Sequence, residues 1–323
     1  MKKILIFSNG EKIGDGLIKL PFIREIYSQF EHSHITWLVY GTTVYATTLK
    51  NISSKYVNEI IDNSKLNLFP WNNISNNYDF SSKSYDIIID TQKTVYKTLA
   101  LRRIKSKIFV SSTASWFFSN VKPKVKAKVN KYYLENLFDM LELVIEKKLN
   151  KSYDFSFPKN LENQLKILFD SKKKYIGIAP GSGEKNKKWN INNFIIVANH
   201  FIKKGYEIAF FIGPEDLFEK NIILKNFPEA FFPEDYIKDF SGPEIVMAST
   251  KYLKFSLSND SGVSHMLSTN LSPILKLFSQ KDPIKFTPNM SNIKTISSKN
   301  FGGNDINSIP PKKVIEIIDK YIK

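Results

Sequence analysis

Three polar turns in this sequence carry residue types that bind phosphate and move protons. They span residues 9–15, 180–189 and 258–265, and each follows a short apolar run and precedes a helix-like stretch. Such a turn presents free backbone N–H groups and the positive end of a helix dipole. Both favour a bound anion, most often a phosphate.

The third turn is the most informative. Phe255–His265 reads F-S-L-S-N-D-S-G-V-S-H, which predicts a buried strand, a polar turn and then a helix. The amides after Ser261 and Gly262 would receive the anion. His265 would contact the phosphate or pack as a core histidine. The alternative for Asp260 and Ser261 is simple capping of the first helical turn.

Length and composition predict a soluble cytoplasmic protein of about two domains. The chain has 323 residues, no cysteine and no run of 18 apolar residues. Its apolar start, Ile4–Phe7, is too short for a signal-peptide core or a membrane span. Disulfides and thiolate metal sites are excluded.

Positive charge is concentrated in one segment. The formal net charge is +16, and Lys93–Lys131 holds eleven Lys or Arg and no Asp or Glu. This segment predicts a polyanionic partner: nucleic acid, anionic lipid or a phosphorylated glycolipid. A solvated loop is the alternative. Trp116-Phe117-Phe118 lies within it, either as a membrane-facing surface or as core.

Strand and helix signals alternate in both halves of the chain, which predicts parallel sheets with helices on both faces. Asn150–Lys159 breaks the pattern, so we place a linker there and expect domains at 1–155 and 156–323. Ligands of such domains bind beyond the carboxyl ends of the strands, and two facing domains would enclose a cleft.

Several enzyme classes are disfavoured by the motifs that are missing. The sequence contains neither G-x-G-x-x-G nor G-x-x-x-x-G-K-[ST], which argues against a nicotinamide enzyme or a typical ATPase. No H-E-x-x-H occurs, and the four histidines form no metal-binding pattern. We therefore predict neither a metal nor a cofactor.

Four motifs together resemble those of the bacterial heptosyltransferases, glycosyltransferase family 9. In chain order they are Ile13-Gly14-Asp15 with Leu20-Pro21; Tyr85-Asp86 with Ile89-Asp90-Thr91-Gln92; Pro180-Gly-Ser-Gly183 with Lys187-Lys188-Trp189; and Ser258-Asn-Asp-Ser-Gly262 with His265, Pro273, Leu277-Phe278 and Asp282-Pro283. Each motif is weak alone, but the four occur in register over nearly the whole chain.

The resemblance implies a GT-B fold, in which two Rossmann-like domains face each other across a cleft. It also implies inverting, metal-independent transfer of a heptose from ADP-heptose to the inner core of lipopolysaccharide. The acceptor would be a phosphorylated glycolipid at the inner leaflet, reached by a monomer peripheral to the inner membrane. The first domain would hold the acceptor and the second the donor, with the last helix, Pro310–Ile322, crossing back to the first domain.

Most site residues follow from the matched motifs; Glu215 is selected by its position after Gly213-Pro214, and the three lysines 122, 124 and 126 belong to the basic segment. Asp15 is the expected general base, with helix capping as its alternative. The expected donor-binding residues are Gly181, Ser182, Gly183, Lys187, Lys188, Glu215, Asp260, Ser261, Gly262 and His265. The weaker acceptor-binding candidates are Gly14, Asp90, Gln92, Lys122, Lys124 and Lys126. Trp189 is expected to pack in the core rather than stack on a ligand.

Departures from the family pattern lie on the acceptor side. Glu11 and Lys12 stand where small hydroxyl residues are common, and Lys93 replaces a glycine, so we expect altered acceptor contacts. One rival hypothesis is a family 9 enzyme that uses another nucleotide sugar for a different surface glycan. The other is a non-catalytic basic protein that binds anionic lipid or nucleic acid, although we expect no nucleic-acid partner.

Overall fold

The computed structural model describes residues 1–67, 69, 71–124, 130, 132–151, 153–280, 283, 287 and 290–322. The chain divides into two compact units, Met1–Ser152 and Tyr153–Lys323, and this division lies inside the expected linker. Each unit contains a five-stranded parallel sheet. No helix in the described part of the chain is long and apolar enough to cross a lipid bilayer.

The sheet of the first unit has the strand order β3-β2-β1-β4-β5. Its central strand is the apolar run at the start of the chain, and the Ile4–Phe7 side chains have no solvent exposure. A strand buried on both faces is typical of a parallel sheet covered by helices. The five strands are β1 (Lys3–Ser8), β2 (His34–Val39), β3 (Glu59–Ile61), β4 (Ser84–Asp90) and β5 (Lys105–Ser111).

The helices of the first unit follow its strands in sequence. They are α1 (Ile13–Gln29), α2 (Lys50–Ser53), α3 (Val95–Leu101) and α4 (Tyr133–Ile145). The sequence analysis missed α3, whose outer face leaves Val95, Tyr96 and Leu99 about half exposed. Helix α4 ends where Glu146 adopts a left-handed φ of 55°.

The sheet of the second unit has the order β10-β9-β8-β6-β7. Its strands are β6 (Lys174–Ala179), β7 (Tyr206–Phe210), β8 (Leu253–Asn259), β9 (Ile274–Phe278) and β10 (Ile293–Ser297). The sequence analysis missed β10, whose I-K-T-I-S sequence carries only two large apolar side chains. The core beneath this sheet includes Ile176, Leu257 and Leu277, all fully buried.

The second unit has more helices than the first. They are α5 (Lys159–Leu168), α6 (Ile191–Lys203), α7 (Leu217–Asn226), α8 (Pro233–Tyr236), α9 (Gly242–Ser249), α10 (Gly262–Met266) and α11 (Pro311–Tyr321). The final helix, α11, was expected to cross back to the first unit. Its side chains Val314 and Ile318 are fully buried in the core of the second unit, where α11 packs on α6.

Candidate functional site

The strands β7, β6 and β8 are neighbours in the second sheet, and polar turns follow all three of them. Parallel strands end at the same edge, so these turns lie side by side. Ala179, the last residue of β6, pairs in register with Ser258 of β8. The two turns that the sequence analysis selected in this half are therefore adjacent.

Asn259 joins these two turns. Its side-chain amide donates to the carbonyl oxygen of Pro180 at 2.6 Å, and its carbonyl oxygen accepts from the backbone N–H of Trp189 at 3.2 Å. Asn259 is fully buried, so both of these hydrogen bonds are shielded from water. Trp189 is itself buried, and its indole N–H donates to the Ile309 carbonyl at 3.0 Å. The expectation that Trp189 packs in the core is confirmed.

Lys187 connects the second turn, residues 180–189, to the third turn, residues 258–265, through its charge. Its Nζ lies 3.3 Å from an oxygen of Asp260 and 3.0 Å from one of Glu184. The Lys187 side chain is 13% exposed and that of Asp260 is 10% exposed. The ammonium group is thus largely shielded from water but still reachable, which suits it to a negatively charged ligand.

Lys188 points to a different pair of carboxylates. Its Nζ lies 2.6 Å from Asp216 and 2.8 Å from Glu219. Burial acts to lower the pKa of Lys188, but the hydrogen bonds to these carboxylates outweigh burial and raise it. The sequence analysis named neither acid and selected Glu215, which is exposed beside them. Only the three-dimensional pairing identifies Asp216 and Glu219, since acids at the start of a helix are common.

The third turn differs from its prediction in one respect. Helix α10 has only five residues, so few peptide dipoles add up at its N-terminus. The hydroxyl oxygen of Ser261 is buried and has no hydrogen-bond partner among the described residues. Gly262 begins the helix and is partly exposed. The lysines, rather than a helix dipole, supply most of the positive charge at this edge.

His265 is buried beneath the same turn. Burial lowers its pKa well below the ordinary value, and the charges of Lys276 and Lys187 lower it further. The ring is therefore neutral at pH 7 and offers a hydrogen bond rather than a charge.

Two glycines of the second turn, residues 180–189, differ sharply in their surroundings. A Cβ on Gly181 would lie 2.0 Å from an oxygen of Asp216, whereas a Cβ on Gly183 would meet no atom within 4 Å. Gly181 thus leaves room for the carboxylate that holds Lys188. The intervening Ser182 is also buried.

We expect Gly181→Ala to lower the free energy of unfolding by about 1–3 kcal/mol, because the new methyl group displaces Asp216. The matched variant Gly183→Ala should leave it unchanged or raise it by up to about 1 kcal/mol. Urea denaturation measures both. In an Asp216→Ala background the cost of Gly181→Ala should largely disappear. Equal costs in the two backgrounds would contradict this explanation.

Asp15 lies at the beginning of α1 in the first unit. It is exposed and is the third residue of the helix. The N-cap residue is Lys12, whose side chain makes no capping hydrogen bond. The alternative interpretation of Asp15 as an N-cap is therefore wrong, and its carboxylate faces solvent.

Glu11, one of the departures from the family pattern, is buried. Its side chain has no exposed surface, and one oxygen lies 2.8 Å from Nζ of Lys19, which is 4% exposed. Lys19 also donates to the hydroxyl of Ser8 at 2.7 Å. The second carboxylate oxygen of Glu11 has no partner among the described residues. The fold thus encloses the charge of Glu11, and its expected effect on acceptor contacts stays a prediction.

Asp90, one of the weaker acceptor-binding candidates, does not present its carboxylate to solvent. Asp90 is fully buried, and its oxygens accept hydrogen bonds from Thr98 at 2.6 Å, Ser111 at 2.9 Å and the backbone N–H of Gln92 at 2.9 Å. It therefore fixes the turn after β4. Burial raises its pKa to about 6, although these hydrogen bonds act to lower it.

The buried Asp90 should make stability depend on pH. Between its unfolded pKa, near 4, and its folded value of about 6, the folded state binds more protons. The free energy of unfolding therefore falls as the pH rises through this window, by roughly 3 kcal/mol in total. We expect wild type to lose this amount relative to Asp90→Asn between pH 4 and 7, measured by urea denaturation. Parallel pH profiles would contradict this expectation.

The other acceptor candidates lie nearer the surface. Gly14 and Gln92 are partly exposed, and Gln92 donates to the Thr91 hydroxyl at 3.0 Å. Lys122 and Lys124 are exposed, whereas Lys126 lies outside the described residues. So does Asp282 of the fourth motif.

The three aromatics of the basic segment do not form one surface. Trp116 is buried, Phe117 is 70% exposed and Phe118 is partly buried. Only Phe117 is available to a partner, and Nζ of Lys122 lies 5.9 Å from its ring centre.

Comparison with known proteins bears on both units. Residues 79–308, more than two thirds of the chain, match the model of "Glycosyltransferase family 9 (heptosyltransferase)". The chain is 20% identical over 298 residues to lipopolysaccharide core heptosyltransferase OpsX of Haemophilus influenzae. This match covers 89% of this chain and 83% of OpsX. The matched range does not include Asp15, so its role stays a prediction.

Solved structures share the fold. A glycosyl transferase family 9 structure from Veillonella parvula has a TM-score of 0.70 at 16% identity, covering 99% of this chain and 97% of that one. Escherichia coli heptosyltransferase WaaC with ADP-2-deoxy-2-fluoro heptose has a TM-score of 0.68 at 16% identity, covering 98% and 99%. These likenesses confirm the predicted GT-B fold class. The chain is an enzyme of the glycosyltransferase class and belongs to glycosyltransferase family 9, the heptosyltransferase family.

Proposed function

We propose that the protein transfers a heptose from ADP-heptose to the inner core of lipopolysaccharide, with inversion and without a required metal ion. The observation that carries this proposal is the shielded but reachable Lys187 at the joined turns of the second unit. A leaving diphosphate needs positive charge in such a place when no metal supplies it. The similarity to OpsX, a lipopolysaccharide core heptosyltransferase, supports the acceptor, and the ADP-2-deoxy-2-fluoro heptose complex of WaaC supports the donor.

The donor diphosphate would bind across the two turns that Asn259 joins. Lys187 would exchange its contact with Asp260 for the phosphate oxygens, and the amides of Gly183 and Gly262 would donate to them. The hydroxyls of Ser182 and Ser261 would add hydrogen bonds, as would the neutral ring of His265. Lys188 keeps Asp216 and Glu219 in position. With Glu215, these acids are candidates for binding the ribose hydroxyls.

The first unit would supply the general base. Asp15 is a solvent-facing carboxylate, and it would take the proton from the acceptor hydroxyl as that oxygen attacks the anomeric carbon. One displacement through an oxocarbenium-like state inverts the configuration. Lys122 and Lys124 would attract the phosphates of a membrane-bound glycolipid acceptor, with Gly14 and Gln92 closer to the attacking hydroxyl. We expect a monomer to carry out this reaction.

A binding panel of nucleotide sugars tests the donor. In the presence of a chelator, ADP-heptose should raise the melting temperature, since a ligand of the folded state stabilises it by mass action. Lys187→Met should weaken this binding tenfold or more. The matched variant Lys185→Met, which changes an exposed lysine of the same turn, should bind like wild type.

Each other outcome of this panel is informative. Preference for a different nucleotide sugar would favour the rival family 9 transferase. No response to any nucleotide sugar, or binding that depends on a divalent cation, would contradict the proposal.

A further inference from the structure

Lys276 is a fully buried lysine in β9, a strand whose other residues are Ile, Leu and Phe. Its Nζ lies 3.5 Å from the hydroxyl of Ser268, and no carboxylate in the described part of the chain lies within ion-pair distance of it. Buried lysines are normally paired, because an unpaired ammonium group in the interior is costly. The burial of Lys276 without a carboxylate partner among the described residues therefore requires an explanation.

The position of Lys276 in the sheet, close to the third turn, offers an explanation for its burial. Lys276 pairs in register with Ser258, and the next residue, Leu277, accepts a hydrogen bond from the backbone N–H of Asp260 at 2.9 Å. Lys276 thus lies beside the start of the third turn, on the neighbouring strand. The Asp260 charge acts on it, and Lys276 in turn acts on His265.

Charged side chains of the described residues surround this turn. An oxygen of Asp260 lies 3.3 Å from Nζ of Lys187, and the Asp260 charge also acts to raise the pKa of Lys276, while His265 is neutral. Glu184, a second carboxylate beside Lys187, is about half exposed and so is screened by water. A diphosphate bound at the turn would add negative charge near the two lysines.

Lys276 can lose its charge when no anion is bound. Burial lowers its pKa to about 7, against a smaller opposing effect of the Asp260 charge. At pH 8 most molecules would therefore carry a neutral amine at this position. An anion bound at the turn favours the charged form and raises the proton affinity of the amine.

We propose that Lys276 is a further donor-binding residue, which takes up a proton from solvent when a diphosphate occupies the turn and then complements its charge from within the sheet. This inference rests on the proposed function, because it assumes that the diphosphate binds at this edge. The alternative is a permanently neutral amine that only packs beneath α10.

Calorimetric titration with ADP tests the inference. At pH 8 the terminal phosphate of ADP is already ionised, so it does not obscure the measurement. Titrations in HEPES and Tris, which differ in ionisation enthalpy, give the number of protons taken up. We expect roughly 0.5–0.9 proton per ADP for wild type, and a dissociation constant that rises with pH between 7 and 9.

Two variants identify the side chain that takes up the proton when ADP binds. Lys276→Met should take up less than about 0.2 proton and bind ADP about tenfold more weakly at pH 7, with an affinity nearly independent of pH. His265→Gln should retain the uptake of wild type. Uptake that disappears in His265→Gln and persists in Lys276→Met would overturn the inference.

A measurement on the wild-type protein covers the case in which Lys276→Met does not fold. With ε-¹³C-labelled lysine, one resonance should titrate near pH 7 in the free protein and at higher pH with ADP bound. ADP binding without proton uptake, or with all lysines titrating above pH 9, would overturn this inference and leave the proposed donor intact. Failure of ADP to bind at all would overturn both.

Discussion

Asp15→Asn should lower kcat for sugar transfer by about 10²–10⁴-fold, the usual contribution of a general base. The affinity for ADP should stay within about twofold, because the candidate donor-binding residues belong to the second unit. The substitution keeps the size of the side chain and removes its ability to accept a proton. Single-turnover transfer of labelled sugar, together with ADP titration, separates the two effects.

A matched control exists on the same segment of chain. Glu31 is an exposed carboxylate just beyond the other end of α1, so Glu31→Gln should keep wild-type activity. If Asp15→Asn kept more than a tenth of the wild-type rate, Asp15 would not be the base. If it lost ADP binding as well, its role would be structural.

Lys19→Met should lower the free energy of unfolding by about 3–5 kcal/mol, because it leaves the buried Glu11 carboxylate without its cation. The Lys19–Glu11 distance is 2.8 Å and neither side chain is appreciably exposed. The double variant Glu11→Gln/Lys19→Met should recover much of this loss, since it removes both charges. Urea denaturation at pH 7 measures all three proteins.

The control for Lys19→Met lies in the same unit. Lys107 pairs with Asp86 at a similar distance, but its side chain is 82% exposed. Lys107→Met should therefore leave stability nearly unchanged. A double variant at Glu11 and Lys19 that is no more stable than Lys19→Met would show that lost packing, rather than an uncompensated charge, causes the effect.

The sequence predicted those features that depend on local pattern. Alternating apolar runs and helical spacing indicated two parallel sheets, and strand ends followed by polar turns located the edge where Lys187 and Asp260 meet. A turn after a strand can be recognised within about ten residues of sequence. The short strand β10 was missed because its pattern is mostly polar.

Features that depend on distant pairing could not be predicted in this way. Gly181 is required by Asp216, and Asn259 contacts Pro180 from 79 residues away. Glu11 is a departure from the family pattern in sequence, and its burial depends on the pairing with Lys19. Lys276 was the one missed residue with a local signal, because a lysine inside an otherwise apolar strand is itself unusual.

Transfer of labelled heptose from ADP-heptose to heptose-free lipopolysaccharide, measured in the presence of a chelator, tests the central claim most directly. We expect wild type to release one ADP for each heptose transferred and to invert the anomeric configuration, as measured by NMR of the product. We expect transfer by Lys187→Met and Asp15→Asn to be strongly impaired. Transfer that needs added metal or retains the anomeric configuration would contradict the account. So would the absence of transfer by a folded protein that binds ADP-heptose.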